Sequence, residues 1–385
     1  MNKKRKILCI TGTRADYPRI KSVLKEIKNN KNLDLNLVVT GSHLLSDYGN
    51  TISEIENDGF KIDAKIHMFD EEFNTPKGMV KSVAKCIDGM SECLENLNPD
   101  LVLITVDRVE TLASAVAVAL MNFPIAHVQG GEVTGTIDES IRHAVTKLSH
   151  IHFPATEDAA LRIIKMGEEQ SKVFNVGCPY IDIIKSTKFK SKNELSKKYG
   201  FNKDKSFIIF TQHAVTTEFG SSLEQIKISI NALKQFVDCQ IIAFYSNTDM
   251  GGYEIIDEIN KEDNFIVIPN MDSSDFLSLM NCSTVMVGNS SAAIREAPSF
   301  ALPAVNIGTR QNGRLRSSNV IDVDHNIEDI KKALYKCIND NDFKMKIKKE
   351  KNPYGDGNSA KRIVKIINEI EIDKSLIQKK IAYEI

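Results

Sequence analysis

The stretch LVLITVDRVETLASAVAVALMNFPIAHVQGG, residues 101–131, reads as strand, helix and strand in succession. Residues 101–106 are an apolar, branched run, and residues 125–128 are a second one. Between them, residues 109–121 carry an alanine-rich helical pattern. A strand that is apolar at nearly every position is covered on both faces. Joined through a helix to another such strand, it belongs to a parallel sheet.

The same rhythm extends outward in both directions. Upstream lie strand-like runs at 7–11 and 35–40, with helical patterns at 20–28 and 78–97. Downstream come a helix at 139–148 and strands at 151–154 and 173–176. The pattern restarts after Ser206, with strands at 207–211, 241–244, 265–268, 284–287 and 304–307, each followed by a helix. A lysine-rich stretch at 185–205, containing a helix at 193–199, marks the connection. The expected fold class is therefore α/β, with two Rossmann-like domains facing across a cleft. Residues 1–184 form the first domain and 185–365 the second, and a helix at about 366–385 packs back on the first. In such sheets ligands bind beyond the carboxyl ends of the strands, and the unusual polar clusters of this chain follow predicted strands.

Composition narrows the function. A chain of 385 residues exceeds what one hydrophobic core supports, which also favours two domains. The formal net charge of −1 lacks the basic excess that a nucleic acid or membrane surface would select. Any bound anion must be met by a few placed arginines and backbone amides. The seven cysteines are scattered and never spaced CxxC, a pattern of thiols in a reducing compartment. The basic start resembles a signal peptide, but its apolar run stops at Gly12-Thr13-Arg14 and reads as a first strand. The apolar helix at 111–123 is too short to cross a bilayer. A soluble, cytoplasmic protein is expected.

The clusters carry the chemistry. Thr11-Gly12-Thr13-Arg14-Ala15-Asp16 offers a tight turn and, through Arg14, a forked positive charge suited to phosphate; Asp16 is equally suited to capping a helix. The dinucleotide fingerprint GxGxxG is absent, which argues against bound NAD and a ketone intermediate. His43 follows the second strand, in position for hydrogen bonding or proton transfer. Asp107 and Arg108 close a buried strand, where packing alone would not choose them. Gln129-Gly130-Gly131-Glu132 follows the strand at 125–128, its glycines allowing close approach of a ligand. Asp138, Arg142 and His143 come next, on the following helix. His150 and His152 form an H-x-H pair with no further ligand at a metal-site spacing, so no metal is expected. In the second half, His213 follows a strand, Asn247 follows another, and Gly288-Asn289-Ser290-Ser291 opens a helix whose amides suit phosphate. Glu296 is placed to accept from a ribose diol, and Arg310 adds a charge.

Taken in order, TGTRADY (11–17), GSHLLSDYGNT (41–51), GGEVTGTIDESIRHAVTKLSHIH (130–152), QHAVTTE (212–218), VGNSSAAIREA (287–297), IGTRQNGR (307–314) and YGDGNSAKRI (354–363) resemble one family along almost the whole chain. It is the hydrolysing UDP-N-acetylglucosamine 2-epimerases of sialic-acid biosynthesis, including the epimerase half of the animal bifunctional enzyme. The resemblance implies a glycosyltransferase-B-like fold, a nucleotide-sugar substrate, no cofactor and a homo-oligomer, dimer or tetramer. It implies that Arg14, Arg108, His213, Asn247, Ser290, Ser291, Glu296 and Arg310 bind the nucleotide. Asp107 and Asp138 match catalytic positions, with His213 beside them, and His43, Arg142 and His143 are assigned to the sugar. The family's third acid, the glutamate of HIEGGE, is Gln129 here, and glutamine cannot take a proton at neutral pH. Either Glu132 supplies that carboxylate or Gln129 marks a subgroup with altered chemistry. The familiar GDR and QHPVTTE also become Val106-Asp107-Arg108 and Gln212-His213-Ala214.

The implied reaction eliminates the nucleotide diphosphate to a glycal and then adds water, inverting C2. With UDP-N-acetylglucosamine the product is N-acetylmannosamine. Three other readings remain open. The same reaction can serve UDP- or GDP-N,N′-diacetylbacillosamine on a legionaminic-acid route. A non-hydrolysing epimerase shares the motifs less well. A glycosyltransferase of the same fold needs an acceptor, and Gln129 also allows a protein that binds without turnover.

Overall fold

A computed structural model describes residues 4–13, 16–45, 51–70, 73, 75–134, 137–215, 217–218, 220–246 and 251–383. Arg14 and Asn247, both expected to bind nucleotide, lie outside the described residues. Twelve strands form two six-stranded sheets, all of whose pairings are parallel. The first contains β1 (Arg5–Thr11), β2 (Leu33–Thr40), β3 (Ala64–Ile66), β4 (Leu101–Thr105), β5 (Ile125–Val128) and β6 (Ile151–Phe153), in the order 3-2-1-4-5-6. The second contains β7 (Ser206–Thr211), β8 (Cys239–Phe244), β9 (Phe265–Ile268), β10 (Val285–Gly288), β11 (Ala304–Ile307) and β12 (Val320–Val323), in the order 12-11-10-7-8-9.

The continuous apolar runs are explained by burial on both faces. Ile7 and Cys9 of β1, Leu101 and Leu103 of β4 and Ile151 and Phe153 of β6 face one core. Helices Tyr17–Asn29 and Ser359–Glu369 cover it through Ile20, Leu24, Ile363 and Ile367. The alternate residues, Leu8, Ile10, Val102, Ile104 and Ile125, face a second core with Leu94, Val118 and Val145. Each fully buried aliphatic side chain contributes about 1.5–3 kcal/mol.

Two strands escaped the sequence reading. β3 has three residues and places Lys65 outward, and β12 is a partly exposed edge interrupted by Asp322, so neither makes an apolar run. The strand expected at 173–176 is reduced to one bridge, from His152 to Val173. No described helix is long and apolar enough to cross a membrane.

The chain divides into two compact units, one made of Met1–Glu132, Ile137–Lys185 and Tyr354–Ile385, the other of Val133–Thr136 and Ser186–Pro353. The return to the first unit starts at Tyr354, earlier than the helix near residue 366 that its periodicity suggested. Its anchor is local chemistry: the Tyr354 carbonyl accepts from Cys178 N at 2.7 Å, and the Asp182 carboxylate accepts the Ser359 and Ala360 amides at the start of the returning helix. Farther along, Lys379 Nζ donates to the carbonyls of Ser149 at 2.6 Å, Lys147 at 2.7 Å and Thr146 at 3.2 Å. These carbonyls lie at the end of helix Ile137–Leu148, a position that favours a cation. The same ammonium lies 2.6 Å from Glu168, which also binds Lys147 at 2.7 Å and His152 Nε2 at 3.0 Å. Burial would raise the Glu168 carboxyl, but these three partners prevail and hold it at about 2. His150 Nδ1 accepts from Ile125 N at 3.0 Å, so both histidines of the H-x-H pair serve the fold.

Replacing Lys379 by methionine is expected to destabilise the protein by about 2–4 kcal/mol in urea unfolding, because three carbonyls and a buried carboxylate lose a donor. A second expectation concerns acid. Burial, aided by Lys379, pushes His150 down to about 4, so the unfolded chain binds a proton that the folded one refuses between about pH 6.5 and that value. Stability is expected to fall as pH falls through this window, by at most about 1.4 kcal/mol per pH unit for this histidine, and His150→Gln should flatten the slope.

Candidate active site

In the first sheet the strand order reverses between β1 and β4, the switch point where open α/β sheets bind ligands. Gly12 and Thr13 follow β1, and Asp16 gathers that turn. Its carboxylate accepts from Thr11 Oγ1 at 2.5 Å, Gly12 N at 3.0 Å and Thr13 N at 3.1 Å. Thr11 Oγ1 lies 3.0 Å from His43 Nε2, and His43 Nδ1 lies 2.7 Å from Thr51 Oγ1. His43 is 0% exposed. The sequence assigned it to the sugar, but the structure encloses it, with both ring nitrogens occupied, as a brace between the two turns.

Beyond β4 stands Asp107, a fifth exposed, ion-paired to Arg142 Nη2. Arg142 is 1% exposed, and its Nη1 donates to the Glu132 carbonyl at 2.6 Å. Expected on the sugar, Arg142 is instead the buried partner that orients Asp107. A guanidinium survives out of water only when paired and hydrogen-bonded. Asp138 precedes Arg142 by four residues on helix Ile137–Leu148, one turn away on the same face. His143 is half-buried on that helix, its Nε2 3.6 Å from Glu139.

Val106, between β4 and Asp107, has φ +64°, and Gln129, just after β5, has φ +64°. Valine at the first of these positions is strained because its branched Cβ crowds the backbone. The turn is secured nonetheless: Val106 N donates to Val128 O at 3.1 Å, and His127 Nε2 contacts the Val106 carbonyl at 2.9 Å. Burial pushes His127 down to about 4, despite that bond, so a neutral imidazole fills this place.

Gln129 is 2% exposed, with its amide engaged on both sides. Nε2 donates to Cys178 Sγ at 2.6 Å and Oε1 accepts from Arg19 Nη1 at 3.3 Å. A thiol acceptor and a guanidinium donor match an amide. The next two glycines also have internal reasons. A Cβ on Gly130 would stand 2.8 Å from His127 Nδ1, and one on Gly131 would stand 2.4 Å from the Ala159 carbonyl. They let the chain pack on its neighbours, rather than opening it to a ligand as the sequence suggested. Glu132 is 8% exposed, and its carbonyl is the acceptor for Arg142.

In the second unit, Asn289 is the organiser that sequence reading passed over. Its Oδ1 accepts from His213 N at 2.7 Å and its Nδ2 donates to His213 O at 2.8 Å. Its own carbonyl receives Gln311 Nε2 at 2.8 Å and Arg310 Nη1 at 3.3 Å. The ends of β7, β10 and β11 are thereby joined. Gly288, with φ +119°, is obligatory, since a Cβ would lie 2.0 Å from the Thr211 carbonyl. Ser290 and Ser291 precede a helix of only four residues, Ala292–Arg295, continued by a tight turn at Ala297–Phe300. The expected longer helix is absent, and Glu296, 6% exposed, sits at the junction. Desolvation, then the Arg310 charge, pushes His213 down to about 3, so its imidazole is neutral. His325 packs against Gly308, whose Cβ would stand 2.5 Å from its Nε2. Its only signal in the sequence was its place after an edge strand too polar to recognise.

Val106 supplies a clean test of the strained turn. In an ordinary strand alanine is more stable than glycine by about 0.5–1 kcal/mol. Here the order should reverse, Val106→Gly exceeding Val106→Ala by about 1 kcal/mol in urea unfolding, because only glycine is at ease at positive φ.

Comparison with known proteins agrees with this geometry. A family model described as UDP-N-acetylglucosamine 2-epimerase matches residues 25–368. The chain is 39% identical over 385 residues, 98% of its length and 100% of the relative's, to the UDP-N,N′-diacetylbacillosamine 2-epimerase (hydrolyzing) of Legionella pneumophila. It is 36% identical to the UDP-N-acetylglucosamine 2-epimerase of Neisseria meningitidis serogroup B, over 86% of each chain. The crystal structure of UDP-GlcNAc 2-epimerase from Neisseria meningitidis bound to UDP-GlcNAc superposes with a TM-score of 0.82 at 22% identity, covering 94% of this chain and 99% of that one, and so shares the fold. A family model over most of the chain and relatives at 36–39% identity show that the chain belongs to the UDP-N-acetylglucosamine 2-epimerase family.

Proposed function

We propose that this chain is a hydrolysing 2-epimerase of a UDP-linked 2-acetamido sugar, releasing UDP and the free sugar inverted at C2. The observation that carries the reading is the pairing of Asp107 with buried Arg142, on the helix that also presents Asp138. Inversion at C2 requires a proton to leave one face and another to arrive on the opposite face, so two separately placed acid–base groups are needed. The two aspartates fill those roles.

In the first step a carboxylate takes the C2 proton. The C2–H electron pair forms the C1–C2 double bond, and the C1–O bond breaks with its electrons on the diphosphate. Arg310, Arg14 and the amides around Ser290 and Ser291 are assigned to the departing charge. Glu296 is assigned to the ribose hydroxyls, with Arg108, Asn247 and neutral His213 completing the nucleotide contacts. In the second step water oxygen joins C1 while the other acid protonates C2. No step calls on a redox cofactor. The same reading puts the protein in the cytoplasm as a homo-oligomer, in a medium that keeps its seven cysteines as thiols.

UDP-N-acetylglucosamine, giving N-acetylmannosamine, is the first substrate reading. The identity to the Legionella pneumophila protein over nearly the whole of both chains favours a second, UDP-N,N′-diacetylbacillosamine. Proton NMR in deuterium oxide with each sugar nucleotide decides between them. The expected result is a free 2-epimer carrying deuterium at C2, with the preferred sugar showing the higher kcat/KM. Asp107→Asn and Asp138→Asn should each lower kcat by about 10²–10⁴-fold with KM changed far less. UDP release that depends on an added acceptor would instead identify a glycosyltransferase, and silence with both sugars would overturn the proposal.

A further inference from the structure

Glu110 opens helix Val109–Leu120, three residues after Asp107, and the sequence offers no reason to single it out, because an acid in a helix's first turn is ordinary. The structure gives it an unusual setting. Its residue is 3% exposed, at the switch point between β1 and β4. A Cβ on Gly12 would stand 3.0 Å from Glu110 Cβ and Cγ, and one on Gly41 would stand 2.8 Å from its Oε1. Two turns, each from a different strand, therefore leave out their side chains to admit this carboxyl. Its Oε2 is sealed from solvent and has no hydrogen-bond partner among the described residues. A leucine or methionine would fill the same volume without the cost of desolvating a carboxyl, so packing does not account for it.

The charged and titratable groups that sense it come from every side. Arg108 stands on its own helix, Asp16 on the turn after β1, Asp138 on helix Ile137–Leu148 and Cys86 on helix Pro76–Leu97. Burial is the largest influence and raises its pKa, Arg108 opposes this, and Asp16 and Asp138 reinforce it. Gln129 has both ends of its amide committed to Cys178 and Arg19.

We propose that Glu110 is the third acid of this site, an enclosed carboxyl that holds the proton destined for C2 and works through Asp138. This rests on the hydrolysing reading above. Asp107 takes the original C2 proton during elimination and later releases it to solvent. Glu110 protonates the Asp138 carboxylate, and Asp138 delivers that proton to the opposite face of C2. As water oxygen bonds to C1, the water sheds its proton to the Asp138 carboxylate, which passes it back to Glu110. Both carboxyls end as they began, and one proton leaves with UDP.

Glu110 is thus a proton-positioning residue, and its protonation can be read without any substrate. With glutamate labelled at ¹³Cδ, its resonance is assigned by loss in Glu110→Gln, or by displacement in Glu110→Asp should the first variant not fold. It is expected to titrate above the exposed glutamates, because burial disfavours its charged form, and to shift downward when Asp138→Asn removes the neighbouring charge. A resonance in the ordinary range, or one indifferent to Asp138→Asn, overturns the proposal. In turnover, Glu110→Gln should lose about 30–100-fold in kcat with KM within about threefold and should lose the alkaline limb of the pH profile, while Glu110→Asp recovers part of the rate. Parental kcat and profile in Glu110→Gln would equally overturn it. If the parent chain turns over neither sugar nucleotide, the hydrolysing reading fails by itself, and the NMR titration still decides whether Glu110 is a proton-holding group.

Discussion

A guanidinium almost wholly removed from water sets the terms for the first unit. Arg142 pairs with the Asp107 carboxylate and donates to the Glu132 carbonyl, and losing either would leave buried charge less well met. Breaking such a pair costs about 3–5 kcal/mol. Because Asp107 follows a sheet strand and Arg142 lies on a helix, their bond fixes helix Ile137–Leu148 against the end of β4. The far end of that helix is fixed by Lys379, which occupies its last carbonyls. A helix held at both ends presents Asp138 from a defined position. That is what acid–base chemistry needs, since proton transfer depends on short, directed approach.

Backbone geometry supports the same arrangement. Val106 and Gln129 both adopt positive φ at the ends of adjacent central strands, so the chain turns sharply out of the sheet at two neighbouring points. His127 bridges the turns by reaching the Val106 carbonyl. Residues in such conformations persist when their surroundings over-determine them, and they cluster at functional sites. In the second unit Asn289 has a comparable part, achieved by pairing with the backbone of His213 rather than through charge.

The parallel sheets were legible because strands covered on both faces need apolar residues at consecutive positions, and residues 101–106 and 207–211 satisfy that plainly. β3 and β12 were hidden by the same logic, as short, exposed edges place no such demand on their residues. Motif reading pointed to turns after the strands, and there the structure gives several of the side chains internal partners. An arginine or histidine in a conserved-looking cluster has the same letter whether it meets a substrate or a neighbouring residue; His43 and Arg142 meet neighbours. Gly130 and Gly131 illustrate the converse, since their freedom serves packing against His127 and Ala159. Glu110 was invisible because only three-dimensional placement separates it from a helix-start acid exposed to water.

The first unit is discontinuous: the residues after Pro353 supply helix Ser359–Glu369 to its core and Lys379 to its helix terminus. A ribosome makes these residues after all of the second unit. Domains generally fold as units during synthesis. The second unit, nearly contiguous from Ser186 to Pro353, therefore has its sequence available first. The unit that begins earlier in the chain must wait, with Ile20 and Leu24 lacking the aliphatic partners that Ile363 and Ile367 later bring. Order of manufacture and order of completion are inverted, and the exposed apolar face of the waiting half is where a nascent-chain chaperone would find its hold.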